Sequence, residues 1–216
     1  DAVGGGICRY SVDERWHIPH FEKMLYDNAN MLLVYSRMAQ ITKDPEFLWA
    51  AEDIYQWLQR ETRLKSGLYA ASLDADVNGV EGSYYAWTAS EWNMLLGDDS
   101  EWTKIFQFEG AALWEHDLYV LYREKSWQDC AEEWGGKREE IYARWREDRK
   151  LLLNARKDRP APSRDDKMVH SWNAMLISAL IKYEVVSSDS EVLKEAQIMF
   201  DKLSDMTHPA SGWLAH

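Results

Sequence analysis

Between Asp13 and Asn28 the sequence crowds His17, His20, Glu22, Lys23 and Asp27 into one short stretch. Histidine is the side chain best suited to exchange protons near neutral pH; a lysine can hold an oxyanion, and a carboxylate can orient an imidazole or bind hydroxyls. Read as part of a helix that begins near His20, the residues His20, Lys23 and Asp27 fall at i, i+3 and i+7 on one face, beside the apolar stripe. That face suits either a proton-transfer site at a cavity or a helix-start network with a surface pair of Lys23 and Asp27. His17-x-x-His20-x-Glu22 also has the donor types of a metal set. Pro19 interrupts the helix needed to bring both imidazoles together, so no metal site is read there.

A second group is Asp74-Ala75-Asp76-Val77-Asn78-Gly79. It copies the first half of a calcium loop, but the twelfth position, where a bidentate glutamate belongs, is Tyr85. Asp74, Asp76 and Glu81 then read either as an Asx-turn loop with solvated charges or as carboxylates at a cavity mouth next to Tyr84 and Trp87. A third group, Asp165-Asp166-Lys167, precedes His170-Ser171-Trp172-Asn173. Asn28 and Asn173 fall on the apolar faces of their helices, where a buried amide needs partners. Two roles fit them: a tie to a neighbouring backbone, or a hydrogen bond to a ligand hydroxyl.

Helices must position these groups. Apolar spacing predicts one over His20 to Ile41 and a second opening at Pro45, an antiparallel hairpin that stops at Ser66-Gly67. Ser72 to Gly82 reads as a polar loop and Tyr84 to Trp87 as a short strand. Thr88-x-x-Glu91 and Ser126-x-x-Asp129 are capping-box patterns, a charged helix runs from about Lys137 to Arg156, and Ser171 to Val186 with Ser190 to Met206 form a last pair. An internal repeat supports this division. Asn28-Ala29-x-Met31-Leu32 returns as Asn173-Ala174-Met175-Leu176, and Ser66-Gly67-Leu68-Tyr69-Ala70 as Ser211-Gly212-Trp213-Leu214-Ala215, both after the same interval (173 − 28 = 145; 212 − 67 = 145). The offset maps Asp165 onto His20 and Lys167 onto Glu22. Repeated hairpins stack because one hairpin cannot cover its own apolar face. The expected fold is therefore all-α: an α/α toroid, the (α/α)6 barrel of six-hairpin type, here incomplete, with short β-hairpin-like segments in the loops. All of 1–216 is expected to be part of one such barrel domain, with hairpins at about 17–61, 88–157 and 171–206.

Composition narrows the partners. An excess of 37 acidic over 25 basic residues, a formal charge of −12, repels nucleic acid phosphates and anionic membranes. No nucleic acid, membrane or cofactor partner is expected. Cys8 and Cys130 belong to no CxxC or CxxH spacing, which suits a reducing, cytoplasmic setting. The start, Asp1-Ala2-Val3, is neither a signal peptide nor an initiator methionine, so the chain is expected to be a piece of something longer. The exposed inner faces of an incomplete barrel predict self-association. Twelve tryptophans supply core but also flat faces for sugar rings.

The runs Gly4-Gly5-Gly6-Ile7-Cys8-Arg9-Tyr10-Ser11-Val12-Asp13-Glu14-Arg15-Trp16 and Pro19-His20-Phe21-Glu22-Lys23-Met24-Leu25-Tyr26-Asp27-Asn28-Ala29 carry a resemblance. So do Asp74-Ala75-Asp76 with Glu81-Gly82, Tyr85 and Trp87, and Asp165-Asp166-Lys167 with Ser171-Trp172-Asn173. Together they closely resemble the spermatogenesis-associated, thioredoxin-domain-containing protein family. The resemblance implies an N-terminal thioredoxin-like domain, absent here, followed by an (α/α)6 barrel similar to the N-acylglucosamine and cellobiose 2-epimerases, of which this chain would be the middle. Where the family has Phe-His before Arg-Tyr, this chain has Ile7-Cys8. Similarity to the epimerase barrels implies sugar chemistry, with a small-molecule sugar as ligand. His20 would be the base, Asp27 its orienter and Lys23 the oxyanion stabiliser, with Asp74 and Asp76 as further acid-base groups. The same resemblance implies substrate binding by Arg9, Trp16, Glu22, Asn28, Glu81, Tyr84, Trp87, Asp166, Lys167, Trp172 and Asn173. A glycosidase-like variant would rest on Asp74, Asp76 or Glu81, and a non-catalytic scaffold barrel is the competing function.

Overall fold

The computed structural model describes residues 1–98, 100–106 and 113–206, and it is mostly helical with a few two-residue strands. The chain begins with β1 (Tyr10–Ser11), β2 (Pro19–His20) and β3 (Lys23–Met24) and passes into α1 (Leu25–Thr42) and α2 (Pro45–Trp57). A π-helical turn, Leu58–Thr62, extends α2. Then come β4 (Ser72–Leu73), β5 (Asp76–Val77), β6 (Val80–Glu81), α3 (Ala89–Leu96), α4 (Trp102–Ile105), α5 (Trp127–Trp134) and α6 (Arg138–Arg156). The last elements are β7 (Arg164–Asp165), α7 (His170–Ser187) and α8 (Ser190–Asp205).

The chain separates into two compact units. The first holds Asp1–Gly4, Tyr10–Phe21 and the described residues of Ala75–Pro162. Here β1 pairs antiparallel with β2, and β5 with β6 through the Asn78-Gly79 turn, whose positive φ values suit the twist of a tight hairpin. Its core joins Ile18, Phe21, Ala75, Tyr85, Ala86 and Val120. An aromatic stack gathers around Trp145, which meets Phe106 at 4.3 Å and Trp102 at 5.2 Å between ring centroids. Thr88 and Ser126 cap α3 and α5 in full capping boxes, as their spacing predicts. Tyr84 to Trp87 is not a strand: only Trp87 pairs, with Tyr119, because the preceding residues turn back on Gly82.

The second unit holds Gly5–Arg9, Glu22–Asp74 and the described residues from Ser163 on. Two helical hairpins, α1 with α2 and α7 with α8, pack through α1 against α7 around Leu25, Leu32, Ile54, Trp57, Leu176, Leu180, Val192 and Met199. The repeat read from sequence is a repeat in structure. Leu25 and His170 open the first helices and Pro45 and Ser190 the second, each pair separated by the same interval (170 − 25 = 145; 190 − 45 = 145). Lys43 and Ser188 both end their helices in the left-handed region, and Asp44 and Asp189 both cap the next helix by accepting from the backbone N–H of Glu46 and Glu191. The second part of the sequence repeat, Ser211 to Ala215, lies outside the described residues.

A second expectation fails. The first helix starts at Leu25 rather than His20, because the backbone of Lys23 and Met24 pairs with Leu73 and Ser72, and the N–H of Leu25 donates to Ala71. Strand β4 also pairs with β7, which completes a three-stranded ladder at the start of α1. His20 and Lys23 thus lie on strands, and the i, i+3, i+7 helical face does not exist.

Candidate functional site

In the first unit, β2 and β6 present a histidine and a carboxylate to each other. His20 Nδ1 lies 2.8 Å from Glu81 Oε1, and the two side chains keep 24% and 34% exposure, so both can meet a solute. The Tyr10 ring, directly across the strand pair, stacks on the imidazole at 4.6 Å and 19°. Trp114 Nε1 donates to the Glu81 carbonyl at 3.1 Å, which fixes that backbone. Gly82 has φ +74°, and a Cβ there would fall 2.4 Å from the Phe21 ring, so only glycine lets β6 approach this closely. A carboxylate on Nδ1 selects the tautomer with the proton there and leaves Nε2 the basic nitrogen. The orienting carboxylate is therefore Glu81, not Asp27.

The neighbouring loop is built on Asp13, whose carboxylate accepts from the N–H of Arg15, His17 and Ile18 and from the Ser11 hydroxyl. These bonds, that from Ile18 first, hold its carboxyl below the usual range. The loop presents Trp16 at φ 62° with 79% exposure, while His17 stacks on Tyr122 at 4.1 Å. Asp76 accepts from the Gly79 N–H and serves the hairpin turn. Trp87 is a correction: it is fully buried, with the Arg159 guanidinium 4.0 Å from its ring centre, and offers no face to a ligand. Tyr84 is half-buried beside the Arg156 guanidinium.

The second unit brings together Arg9, Glu22, Tyr26, Asp27 and Trp172. Arg9 donates to Glu22 Oε2 at 2.8 Å, an arrangement fixed by the backbone bond from Arg9 N–H to the Glu22 carbonyl. The Tyr26 and Trp172 rings meet edge to face at 4.8 Å. Asp27 Oδ2 is shut off from solvent without a hydrogen-bond partner, and burial pushes its carboxyl above the usual range, with Arg9 pulling it down and Glu22 adding to the rise. Lys23 is a second correction: wholly buried, it donates to the Gly5 carbonyl at 2.8 Å over the Trp57 ring, and so cannot hold a substrate oxyanion.

The two asparagines take the structural role. Asn28 accepts from the Ile7 N–H and donates to the carbonyls of Ile7 and Met24, and Asn173 does the same with Tyr69 and Val169. Both amide protons are spent on backbone, which leaves no donor for a ligand. Asp166 pairs with Arg164, and Lys167 with Asp165, at exposed positions, while Asp74 is exposed and its N–H donates to the Ser163 carbonyl. Among the described residues no group of three His, Cys, Asp or Glu side chains could hold a metal ion.

Sequence reasoning missed His170 as a single residue. It opens α7 where the repeat has Leu25, and although it is 8% exposed its Nε2 lacks a partner. A buried unmet polar group costs about 1–3 kcal/mol. Replacing it by the residue of the other repeat, His170→Leu, is expected to raise the melting temperature by roughly 2–6 °C. A lowered melting temperature in thermal unfolding would show that the imidazole is bonded in the folded chain.

No family model matches the chain. It is 34% identical over 91% of its length to an uncharacterised protein of Caenorhabditis elegans and 33% identical over 82% to spermatogenesis-associated protein 20 of Mus musculus. A more distant relative, 25% identical over 53% of the chain, is the mannan endo-1,6-alpha-mannosidase DCW1 of Saccharomyces cerevisiae, of which 25% is covered. The chain spans 30% and 26% of the length of the first two. It is a homologue of spermatogenesis-associated protein 20, aligned with about a quarter of that protein's length.

Proposed function

We propose that the chain is part of a sugar-processing α/α barrel that moves a proton at the carbon beside a sugar carbonyl, as an epimerase or isomerase does. The His20–Glu81 pair carries this reading. His20 takes the C2 proton on Nε2, and the C–H electron pair becomes the C1–C2 double bond while the carbonyl π pair moves onto its oxygen as an enediolate. The imidazolium returns the proton to C1 as the O2 proton passes to O1; inversion at C2 instead needs a second group to return a proton from the opposite face. Glu81 steadies the imidazolium meanwhile. The relative named as a mannosidase supports a carbohydrate substrate. The test is incubation of the protein with reducing hexoses and N-acylglucosamine in D2O. Deuterium at C2, seen by NMR, supports the reading; no exchange with any sugar moves the function to a non-catalytic scaffold.

A glycosidase-like reading would rest on Asp74, Asp76 or Glu81, and the relative named as a mannosidase is what favours it.

For the barrel, the support is the repeat of hairpins, which predicts further hairpins on either side. Helices α7 and α8 expose Met175, Ile181, Val185, Leu193, Ile198 and Phe200, Phe200 at 57%. We expect these 216 residues, made alone, to self-associate through such faces. A monodisperse monomer in light scattering would contradict that. Cytoplasmic residence stays part of the proposal, resting on the free cysteines Cys8 and Cys130.

A further inference from the structure

We infer that the cavity between α3, α4 and α6 of the first unit is a binding site for a small organic cation, a primary alkylammonium. It shares no residue with the His20–Glu81 pair and is independent of the sugar-processing reading. The cavity measures about 260 Å³, just below the roughly 300–1,000 Å³ of pockets for drug-sized ligands, and it meets solvent beside the exposed residues Glu101, Arg144 and Leu151.

Its polar side is rigid and net negative. Trp102, 3% exposed and packed edge to face on Trp145, donates from Nε1 to Asp148 Oδ2 at 2.8 Å. That bond fixes the half-buried carboxylate, while its Oδ1 takes no hydrogen bond from the described residues. The Arg144 guanidinium lies 4.8 Å from the Trp102 ring centre and 5.6 Å from that of Trp134, and it donates to Glu101 Oε2. Arg144 thus offsets Glu101, and the charge of Asp148 is left over. Leu95 and Leu96 bring in the C-terminal end of α3, the negative pole of that helix, whose last turn holds no basic residue. An anion would meet two carboxylates and that pole; a cation gains from all three.

The rest of the lining decides the kind of cation. Leu95, Leu96 and Leu151 offer hydrocarbon, whereas a hard metal ion needs several oxygen donors. Among the described residues no third His, Cys, Asp or Glu joins Glu101 and Asp148 to make a metal set. An ammonium on a short alkyl chain uses both sides of the cavity: its N–H groups donate to Asp148 Oδ1 and the Glu101 carboxylate, and its methylenes cover the leucines. Such a cation arrives as a free amine or as a lysine side chain.

The test is calorimetric titration of the protein at pH 7 and low ionic strength with n-butylamine, protonated there as a lysine is, and with uncharged n-butanol and anionic butyrate. Because a formal charge of −12 attracts any cation, two variants locate the binding. Asp148→Asn keeps an oxygen for the Trp102 indole but removes the charge; Asp201→Asn removes an exposed carboxylate of α8 that does not line the cavity. We expect n-butylamine to bind at one site, about tenfold or more weaker in Asp148→Asn and within about twofold of wild type in Asp201→Asn, with n-butanol and butyrate at least about tenfold weaker than n-butylamine. If Asp148→Asn does not fold, Glu101→Gln, at an exposed position, carries the test with a loss of about threefold. Failure of n-butylamine to bind overturns the inference, as does equal binding of n-butanol or butyrate, unchanged affinity in the folded cavity variant, or an equal loss in Asp201→Asn. Nα-acetyl-lysine methylamide separates the sources: binding as tight as that of n-butylamine supports a lysine side chain as occupant, and its exclusion while n-butylamine binds supports a free amine.

Discussion

Replacing His20 by alanine is expected to lower C2 proton exchange by about 10²–10⁴-fold, the usual contribution of a positioned general base. The fold should survive. His20 and Glu81 are both partly exposed, and a hydrogen bond contributes only about 0.5–1.5 kcal/mol net, so the melting temperature should move by no more than a few degrees. Glu81→Gln separates orientation from mere presence of the ring. The amide keeps the shape of the carboxylate but can offer N–H to Nδ1, which leaves the imidazole in the wrong tautomer, and it cannot steady an imidazolium. Exchange should fall by at least about tenfold while sugar affinity holds. Unchanged exchange in both variants would remove His20 from the chemistry. Loss of folding in both would make the pair structural, tying β2 to β6.

The sequence resolves those parts of this chain whose determinants are local. The helices α2, α7 and α8 and most of α1 follow from apolar spacing, with Pro45 opening the second, and the burial of Asn28 and Asn173 follows from their places on apolar faces, while the choice between their two roles needs the structure. Residues 20–24 fit a helix by their spacing, while their backbone partners lie elsewhere in the chain. Lys23 pairs with Leu73, and the adjoining strand pairs on to Arg164, and a ladder that satisfies the main chain outweighs a short run of helical periodicity. Glu81 escaped as the orienter of His20 for the same reason: 61 residues separate them, and only the β5–β6 hairpin brings the carboxylate up. Lys23 and Trp87 look like site residues by type, yet burial turns both into supports. A signal for His170 was present, as a polar residue standing where the repeat has a leucine.

The largest stability effect is expected at Arg156. Its side chain is 1% exposed, its Nη1 bonds Asp1 Oδ2 at 2.6 Å and Nη2 bonds Asp1 Oδ1 at 3.0 Å, and its guanidinium lies between 5.4 and 5.7 Å from the ring centres of Tyr84, Tyr85 and Trp87. Asp1 is equally committed, since Oδ1 also accepts from the N–H of Val3 and Gly4. Arg156→Ala would strand the Asp1 carboxylate, itself 6% exposed, beside a cavity. Breaking a buried pair from one side costs about 3–5 kcal/mol, which for a domain of this size lowers the melting temperature by roughly 10 °C. The double variant Asp1→Asn with Arg156→Met should recover part of that loss, because the penalty comes chiefly from the uncompensated charge. Equal destabilisation in the single and double variants would locate the effect in lost packing on the three rings instead. Arg159 should then compensate little, since its guanidinium is already divided among the carbonyls of Ser83, Tyr84 and Ala86 and the Glu91 carboxylate. Arg156 donates to the Tyr85 carbonyl and Arg159 to those of Ser83, Tyr84 and Ala86, so the loss of one is not taken up by the other.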